Sequence, residues 1–122
     1  MIKFRLDTDT DINLVVMEGE IYLEDILKFL DSLEPFIKGL NDLLFLYDLT
    51  DATLMISPKD VSHVSELTVK MNKNMNIVKS AFLVSEPNQT ALTILFAEIK
   101  RDSRAKRAVF STKAAAEKWL KE

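Results

Sequence analysis

The longest uninterrupted apolar run of the chain is residues 43–47, Leu-Leu-Phe-Leu-Tyr. Such a run is typical of a strand that is buried on both faces, as strands are when helices cover a parallel sheet. A membrane-spanning helix needs about 20 apolar residues, so the run is far too short to cross a bilayer. The run therefore predicts an α/β protein with this strand near the middle of its sheet.

Four further short runs have the composition of strands. With the central run, the sequence predicts strands at residues 3–6, 12–17, 43–47, 78–84 and 108–110. The first two flank the polar turn 7–11 and are expected to form an antiparallel hairpin that Gly19 closes. The stretch 48–51 is expected to end the central strand.

Amphipathic stretches separate these strands. The first predicted helix buries Leu23, Ile26, Leu27, Leu30 and Leu33, and Pro35 is expected to end it. The second begins at Ser57 as N-cap, with Pro58 at the first helical position and Asp60 completing a capping box. The third helix is expected to bury Ala91, Leu92, Leu95, Phe96 and Ile99 and to end in the basic stretch Lys100, Arg101, Arg104, Lys106 and Arg107. Thr112 is expected to cap the last helix, which runs from 113 to about 120.

The predicted order is β-β-α-β-α-β-α-β-α. It implies right-handed crossovers and a mixed sheet of about five strands with an antiparallel N-terminal hairpin and about four helices. The 122 residues contain no repeat and no Pro- or Ser-rich linker, so we expect one domain over 1–122. No apolar stretch of signal-peptide length opens the chain, and there is no Cys, which together favour the cytoplasm.

Composition excludes several kinds of site. Without Cys there are no disulfides, Cys-ligated metals or thiol nucleophiles, and one His and two Gly leave no multi-His metal site or Gly-rich phosphate loop. The acidic turn Asp7, Asp9 and Asp11 lacks the Gly and the Glu of a calcium loop. We therefore expect no cofactor.

Charge is distributed unevenly along the chain. The net charge is −3, but residues 1–66 carry 14 acidic and 5 basic side chains, whereas residues 67–122 carry 5 acidic and 11 basic ones. An acidic whole argues against nucleic-acid binding. The two halves can attract each other within one fold, or they can form opposite patches for a partner or a second copy, so a homodimer is a further prediction.

Binding in a parallel sheet is expected beyond the carboxyl ends of the strands. The candidate residues for a partner or ligand are those near these ends, namely Asp48, Thr50, Asp51, Thr53, Met55, Ser57 and Ser85. The stretch 52–56 is largely apolar, although we expect it to be a loop. It is either an exposed binding surface or a continuation of the strand into the core.

Asp48 and Asp51 are either turn-capping residues or an acid/base or cation-binding pair. His63 is expected on the surface, and Tyr47 and Trp119 in the core.

The element order, together with Asp48-Leu49-Thr50 after an apolar strand, resembles the STAS domain, the fold of anti-sigma-factor antagonists. Residues 79–84 (Lys-Ser-Ala-Phe-Leu-Val) and 108–120, with their Ala-bearing helix and Trp119-Leu120 pair, are similar to the SpoIIAA-like group of small bacterial proteins. The resemblance covers essentially the whole chain. It implies a non-catalytic domain that regulates or binds a protein partner.

The resemblance also shows where this sequence departs from the partner-switching proteins. Their phosphorylated loop reads Asp-Ser-Ser-Gly, and the matching stretch here is Ile56-Ser57-Pro58-Lys59, in which only Ser57 fits. We therefore expect no working phosphorylation switch, and capping explains Ser57 fully. The general fold is shared with the lipid-binding Sec14 domain, so by analogy the alternative function is the carriage of a small apolar or lipid-like ligand.

Overall fold

The computed structural model describes residues 1–7, 9–99 and 104–122. Strands and helices alternate in the predicted order. The strands are β1 (Ile2–Asp7), β2 (Ile12–Tyr22), β3 (Asp42–Met55), β4 (Ile77–Leu83) and β5 (Ala105–Phe110). The helices are α1 (Leu23–Ile37), α2 (Pro58–Met71), α3 (Pro87–Glu98) and α4 (Lys113–Leu120).

The strands form one sheet in the order β1-β2-β3-β4-β5. β1 pairs antiparallel with β2, and the other neighbours are parallel. The predicted α/β class, the mixed sheet and the antiparallel N-terminal edge are therefore confirmed. Because each parallel strand lies directly beside the next one in the chain, right-handed crossovers place α1, α2 and α3 on one face of the sheet.

Two apolar clusters lie on opposite faces of the sheet. On the face that we call the inner face, α1, α2 and α3 cover side chains such as Val15, Phe45 and Phe82. On the outer face, the short helix α4 packs Ala116 and Leu120 against the middle strands. The apolar run 43–47 contributes side chains to both clusters, as its composition predicts, because its alternate residues point to opposite faces.

Strand β2 is longer than expected, and Gly19 does not close the hairpin. Gly19 lies inside β2, opposite Ala52, with a φ of +76°. The turn between β1 and β2 instead includes Asp11, whose φ is +59°, and the Asp7 carboxylate accepts a 2.9 Å hydrogen bond from the Asp9 N–H. The polar sequence Glu18-Gly19-Glu20 resembles a turn, but these residues belong to a strand with one solvated face.

Strand β3 extends beyond its predicted end, because residues 52–55 of the stretch 52–56 belong to the strand and Ile56 follows it. β3 continues through Met55, and Ala52 and Leu54 are buried in the inner cluster. Asp48 to Asp51 are therefore part of the strand. The second of the two sequence-based alternatives, a continuation of the strand, describes Ala52 and Leu54.

Two helix predictions also need correction. Pro35 lies inside α1, which ends at Ile37. Pro35 has no N–H to donate to the carbonyl of Asp31, and only two residues follow it before α1 ends, so it weakens the end of the helix without interrupting its middle. In α3 the buried side chains are Gln89 and Thr93, whereas Ala91 is exposed.

The predicted basic end of α3 is divided between different parts of the structure. Arg107 lies in β5, as does Lys106, and Arg104 precedes that strand. Lys100 and Arg101 lie outside the described residues. Both predicted N-caps are confirmed: Ser57 caps the start of α2 and Thr112 caps the start of α4.

None of the described helices is long and apolar enough to cross a lipid bilayer.

Candidate functional site

Beyond the end of β4, strands β2 and β3 continue together as a two-stranded parallel extension. β3 pairs with β4 only as far as Asp48 and Leu83, but it pairs with β2 as far as Met55 and Tyr22. The register shifts where β3 has one extra residue, at Thr50, between the pairs Val16–Asp48 and Glu18–Asp51. This bulge keeps Leu49, Ala52 and Leu54 on the inner face.

The outer side of this extension is exposed and acidic. We call it the acidic ribbon and define it by the residues Glu18, Glu20, Tyr22, Asp51, Thr53 and Met55, all of which are exposed. Tyr22 and Met55 are register partners at its end and are 44% and 43% exposed. The structure thus brings together the candidates Asp51, Thr53 and Met55, with two apolar side chains beside three carboxylates.

The candidates Asp48, Thr50 and Ser85 meet at the bulge instead. The Asp48 carboxylate accepts hydrogen bonds from the Thr50 N–H (3.0 Å) and hydroxyl (2.7 Å). The Ser85 hydroxyl donates to the Thr50 carbonyl at 3.1 Å. These contacts hold the irregular backbone of the bulge, so the three residues shape the base of the acidic ribbon.

Two residues at this edge were missed by sequence reasoning. The Gln89 amide is 2% exposed and donates to the carbonyls of Ala52 (2.7 Å) and Thr50 (3.4 Å). Its oxygen accepts from the Ser85 and Glu86 N–H groups at 2.8 and 3.3 Å. Asn88 bonds both the N–H and the carbonyl of Leu54, at 3.1 and 3.4 Å. Side chains from the start of α3 therefore supply β3 with the partners that β4 no longer provides.

The candidate Ser57 caps α2 next to the ribbon. Its hydroxyl accepts from the Asp60 N–H at 3.2 Å, and the Asp60 carboxylate accepts from the Ser57 N–H at 3.0 Å. This is the predicted capping box. Only Ile56 and Ser57 lie between the exposed end of β3 and the start of α2.

The possible acid/base residues do not form a recognisable catalytic group. Asp48 is bound to Thr50, while Asp51 is exposed on the ribbon. His63 is exposed on α2, beside a shallow groove that Asp31 and Glu34 of α1 also line. No group of three His, Asp or Glu side chains within the described ranges is placed to hold a metal ion.

A cavity of about 120 Å³ lies between the inner face of the sheet and the three helices. Its wall is mostly aliphatic and aromatic, with residues of α1, α2, α3 and the central strands. Phe45, Tyr47 and Phe82 are stacked along the floor, with ring centroids 5.6 and 5.1 Å apart, and Phe96 of α3 meets Phe82 edge-on at 5.6 Å. Tyr47 was predicted to be a core residue, and it lies on this face as part of the cavity wall.

Arg107 is the one charged residue of the cavity wall in the part of the chain that the structure describes. Its Nη1 donates to the carbonyls of Phe96 (3.0 Å) and Ile99 (3.1 Å) at the end of α3 and to the Ser65 hydroxyl (3.2 Å) of α2. Its Nη2 donates to the Thr68 hydroxyl at 3.2 Å, and the guanidinium carbon lies 3.9 Å from the centroid of the Phe96 ring.

Burial shifts the pKa of both Tyr47 and Arg107. Desolvation raises the pKa of the Tyr47 phenol far above its usual value, although the positive Arg107 and a hydrogen bond with Ser80 act in the opposite direction. Desolvation also lowers the pKa of Arg107, and Tyr47 opposes that shift. A guanidinium stays charged in proteins, so the cavity contains a neutral phenol and a cation.

The sequence matches no protein-family profile. No curated protein matches it either. The fold, however, matches solved structures over almost its whole length, and these define its class. A protein of the DUF3478 family from Shewanella loihica PV-4, with a SpoIIAA-like fold, superposes with a TM-score of 0.68 at 19% identity, over 98% of this chain and 92% of that one.

The anti-sigma factor antagonist SpoIIAA in its unphosphorylated form superposes with a TM-score of 0.59 at 7% identity, over 99% of this chain and 98% of that one. The chain therefore has the α/β fold of the STAS domain in its SpoIIAA-like form, as its resemblance implied.

Proposed function

We propose that this chain is a non-catalytic STAS-type regulatory domain that binds a protein partner through the acidic ribbon. The observation that carries the proposal is the exposed pair Tyr22 and Met55 at the end of the β2–β3 extension. Large aromatic and Met side chains are enriched at protein interfaces. The fold likeness to an anti-sigma factor antagonist supports a regulatory role.

The charges of the ribbon indicate what kind of segment it accepts. Glu18 forms an ion pair with Lys3 at 3.6 Å, but Glu20 and Asp51 have no ion pair with any described residue. Two free carboxylates beside two apolar side chains favour a segment that has Lys or Arg next to an apolar residue. The partner is therefore expected to present a basic segment with one apolar anchor.

A photo-crosslinking amino acid at Thr53 tests this proposal. The captured protein is identified by mass spectrometry and purified, and its Kd is measured by calorimetry for wild type, Met55→Glu and Ile94→Glu. Ile94 of α3 is 42% exposed and is a matched control. We expect Met55→Glu to raise the Kd at least about tenfold, as loss of an interface anchor does, and Ile94→Glu to leave it unchanged.

Equal binding by wild type and Met55→Glu would overturn the proposal. Salt provides a second check, because the Kd should rise with ionic strength and the double change Glu20→Gln and Asp51→Asn should reduce that dependence. A partner that binds equally well at low and high salt would exclude a basic segment.

We propose further that the partner interaction is not controlled by phosphorylation of Ser57. The proposal is supported by Ile56, Pro58 and Lys59, which replace the acidic, Ser and Gly residues of the switching motif. Ser57→Asp keeps a capping side chain and mimics added negative charge, so it should bind the partner as wild type does. A change of more than about tenfold in Kd, corresponding to about 1.4 kcal/mol, would contradict this.

A second candidate function is the binding of a small molecule in the cavity. The cavity itself favours it, since a well-packed interior leaves few voids larger than a water molecule. An engineered cavity of about 150 Å³ with a similar apolar wall binds benzene, so a void of this size accepts a small apolar body. We expect toluene to raise the melting temperature of the purified protein and to perturb the methyl NMR signals of Leu92. Absence of both effects would reject this function.

A further inference from the structure

The cation of the cavity, Arg107, has no anionic partner in the part of the chain that the structure describes. Among the described residues, Arg107 forms no ion pair, and all four of its hydrogen-bond acceptors are neutral carbonyls or hydroxyls. Arg107 is half-buried, and a cation that is partly removed from water is costly unless charges or dipoles compensate it. These neutral dipoles contribute to the compensation, and a bound anion would add to it.

The guanidinium also retains unused donors. It has five N–H groups. Three acceptors share the two hydrogens of Nη1, and one acceptor faces Nη2. The Nε–H and one Nη2–H therefore have no acceptor among the described residues. Two N–H groups on neighbouring nitrogens are the fork with which Arg binds a planar carboxylate in a bidentate manner.

The remaining wall is suited to an apolar body. Near Arg107 the wall includes Phe96, whose ring lies against the guanidinium, and the stacked rings of Tyr47 and Phe82. No described acidic side chain lines the cavity to repel an anion. The volume of about 120 Å³ suits a body of about the size of benzoate or of a short fatty acid. A phosphate monoester would bring a second negative charge that no second cation of the described wall balances.

We propose that the cavity is a binding site for a small monocarboxylate whose apolar body lies on the aromatic stack and whose carboxylate accepts hydrogen bonds from Arg107. The proposal rests on the second candidate function, small-molecule binding in the cavity, and specifies the charge and size of the ligand. Regulation by such a ligand would not need phosphorylation of Ser57.

Calorimetry with benzoate, the near-isosteric benzamide, and phenyl phosphate tests this on the wild-type protein. We expect benzoate to bind about ten- to a hundredfold more tightly than benzamide, since hydrogen bonds to charged groups contribute about 1.5 to 3 kcal/mol. Phenyl phosphate should bind more weakly than benzoate. If toluene or benzamide binds as tightly as benzoate, the carboxylate inference is overturned and the cavity function stands. If none of the compounds binds, both fail.

Two variants locate the binding. Arg107→Met should abolish the preference for benzoate over benzamide while leaving benzamide binding in place. Because Arg107 also joins α2 to α3, this variant can fail to fold, so Ala105→Leu provides a second route. Ala105 lines the cavity next to Arg107, and a larger side chain there should lower the affinity for both ligands at least about tenfold.

Ala91→Leu, on the exposed side of α3, is the matched control and should bind both ligands as wild type does. Unchanged benzoate binding in Ala105→Leu would place the ligand elsewhere and overturn the proposal.

Discussion

Gln89 shows how much one buried amide can contribute at this edge of the fold. Its side chain satisfies two carbonyls of β3 and two N–H groups of the loop after β4. Gln89→Leu removes the partner of all four groups, but only the bond to the Ala52 carbonyl is fully buried. The part-buried groups can bond to water, whereas one buried unpaired group costs about 1 to 3 kcal/mol. We expect the free energy of unfolding to fall by about 3 kcal/mol in urea titrations followed by circular dichroism.

The neighbouring residue provides the control for this prediction. The Thr90 hydroxyl donates to the Glu86 carbonyl at 2.8 Å in a bond that is open to solvent. Thr90→Ala should therefore cost less than about 1 kcal/mol, because water replaces the lost partner. Equal losses in the two variants would mean that the side-chain hydrogen bonds of Gln89 contribute little to stability.

The roles of residues that bond their near neighbours could be predicted from the sequence, whereas the roles of residues that bond distant segments could not. Ser57 and Thr112 are caps, and a cap depends on residues within the next turn, so the sequence alone identifies them. Gln89 and Arg107 act on segments that are far away in the sequence, and their polar character predicts exposure. The alternation of Ala105, Arg107 and Val109 along β5 was the available signal that Arg107 faces inward.

Ser57→Ala tests the simplest of these sequence-based roles. Loss of the N-cap hydroxyl leaves the Asp60 N–H without its partner. The free energy of unfolding should fall by about 1 kcal/mol in the same urea titrations, whereas Ser57→Asp should retain most of the wild-type value. A loss of several kcal/mol on Ser57→Ala would assign this residue a role that capping does not explain.

At the level of elements, each strand and helix could be predicted from the sequence, but the predicted β2 and β3 are shorter than the strands of the structure. Both strands continue where polar residues begin, because the extension has one solvated face that carries Glu18, Glu20 and Asp51. In such a strand only every second residue is apolar, and Gly19 and the bulge at Thr50 obscure that alternation. The acidic ribbon could therefore not be recognised as a surface from composition.

Substitutions of Gly19 test the backbone conformation of β2. Its φ of +76° lies in the left-handed region, although a Cβ there would meet no atom within 4 Å. The cost of substitution is therefore conformational, about 1 to 2 kcal/mol for an ordinary residue. We expect Gly19→Val to lower the free energy of unfolding more than Gly19→Asn, because Asn tolerates this region. The opposite order would indicate that β2 relaxes to a negative φ.

At the level of the whole molecule, the uneven charge distribution predicts a homodimer that salt weakens. The acidic ribbon is one concentrated part of the negative half of the chain. We expect light scattering after size-exclusion chromatography to give a dimer at low ionic strength and a monomer at high ionic strength, where charges more than about 10 Å apart are screened. A monomer at low ionic strength would reject the electrostatic dimer.

The division of the core into two clusters has a consequence for how the molecule opens. Three helices cover the inner face, whereas the eight residues of α4 form most of the cover on the outer face. A helix of this length is unstable in isolation, so its amides depend on packing against β3 and β4. Hydrogen exchange should thus divide the protein into two cooperative units, with α4 opening and closing many times for each unfolding of the rest.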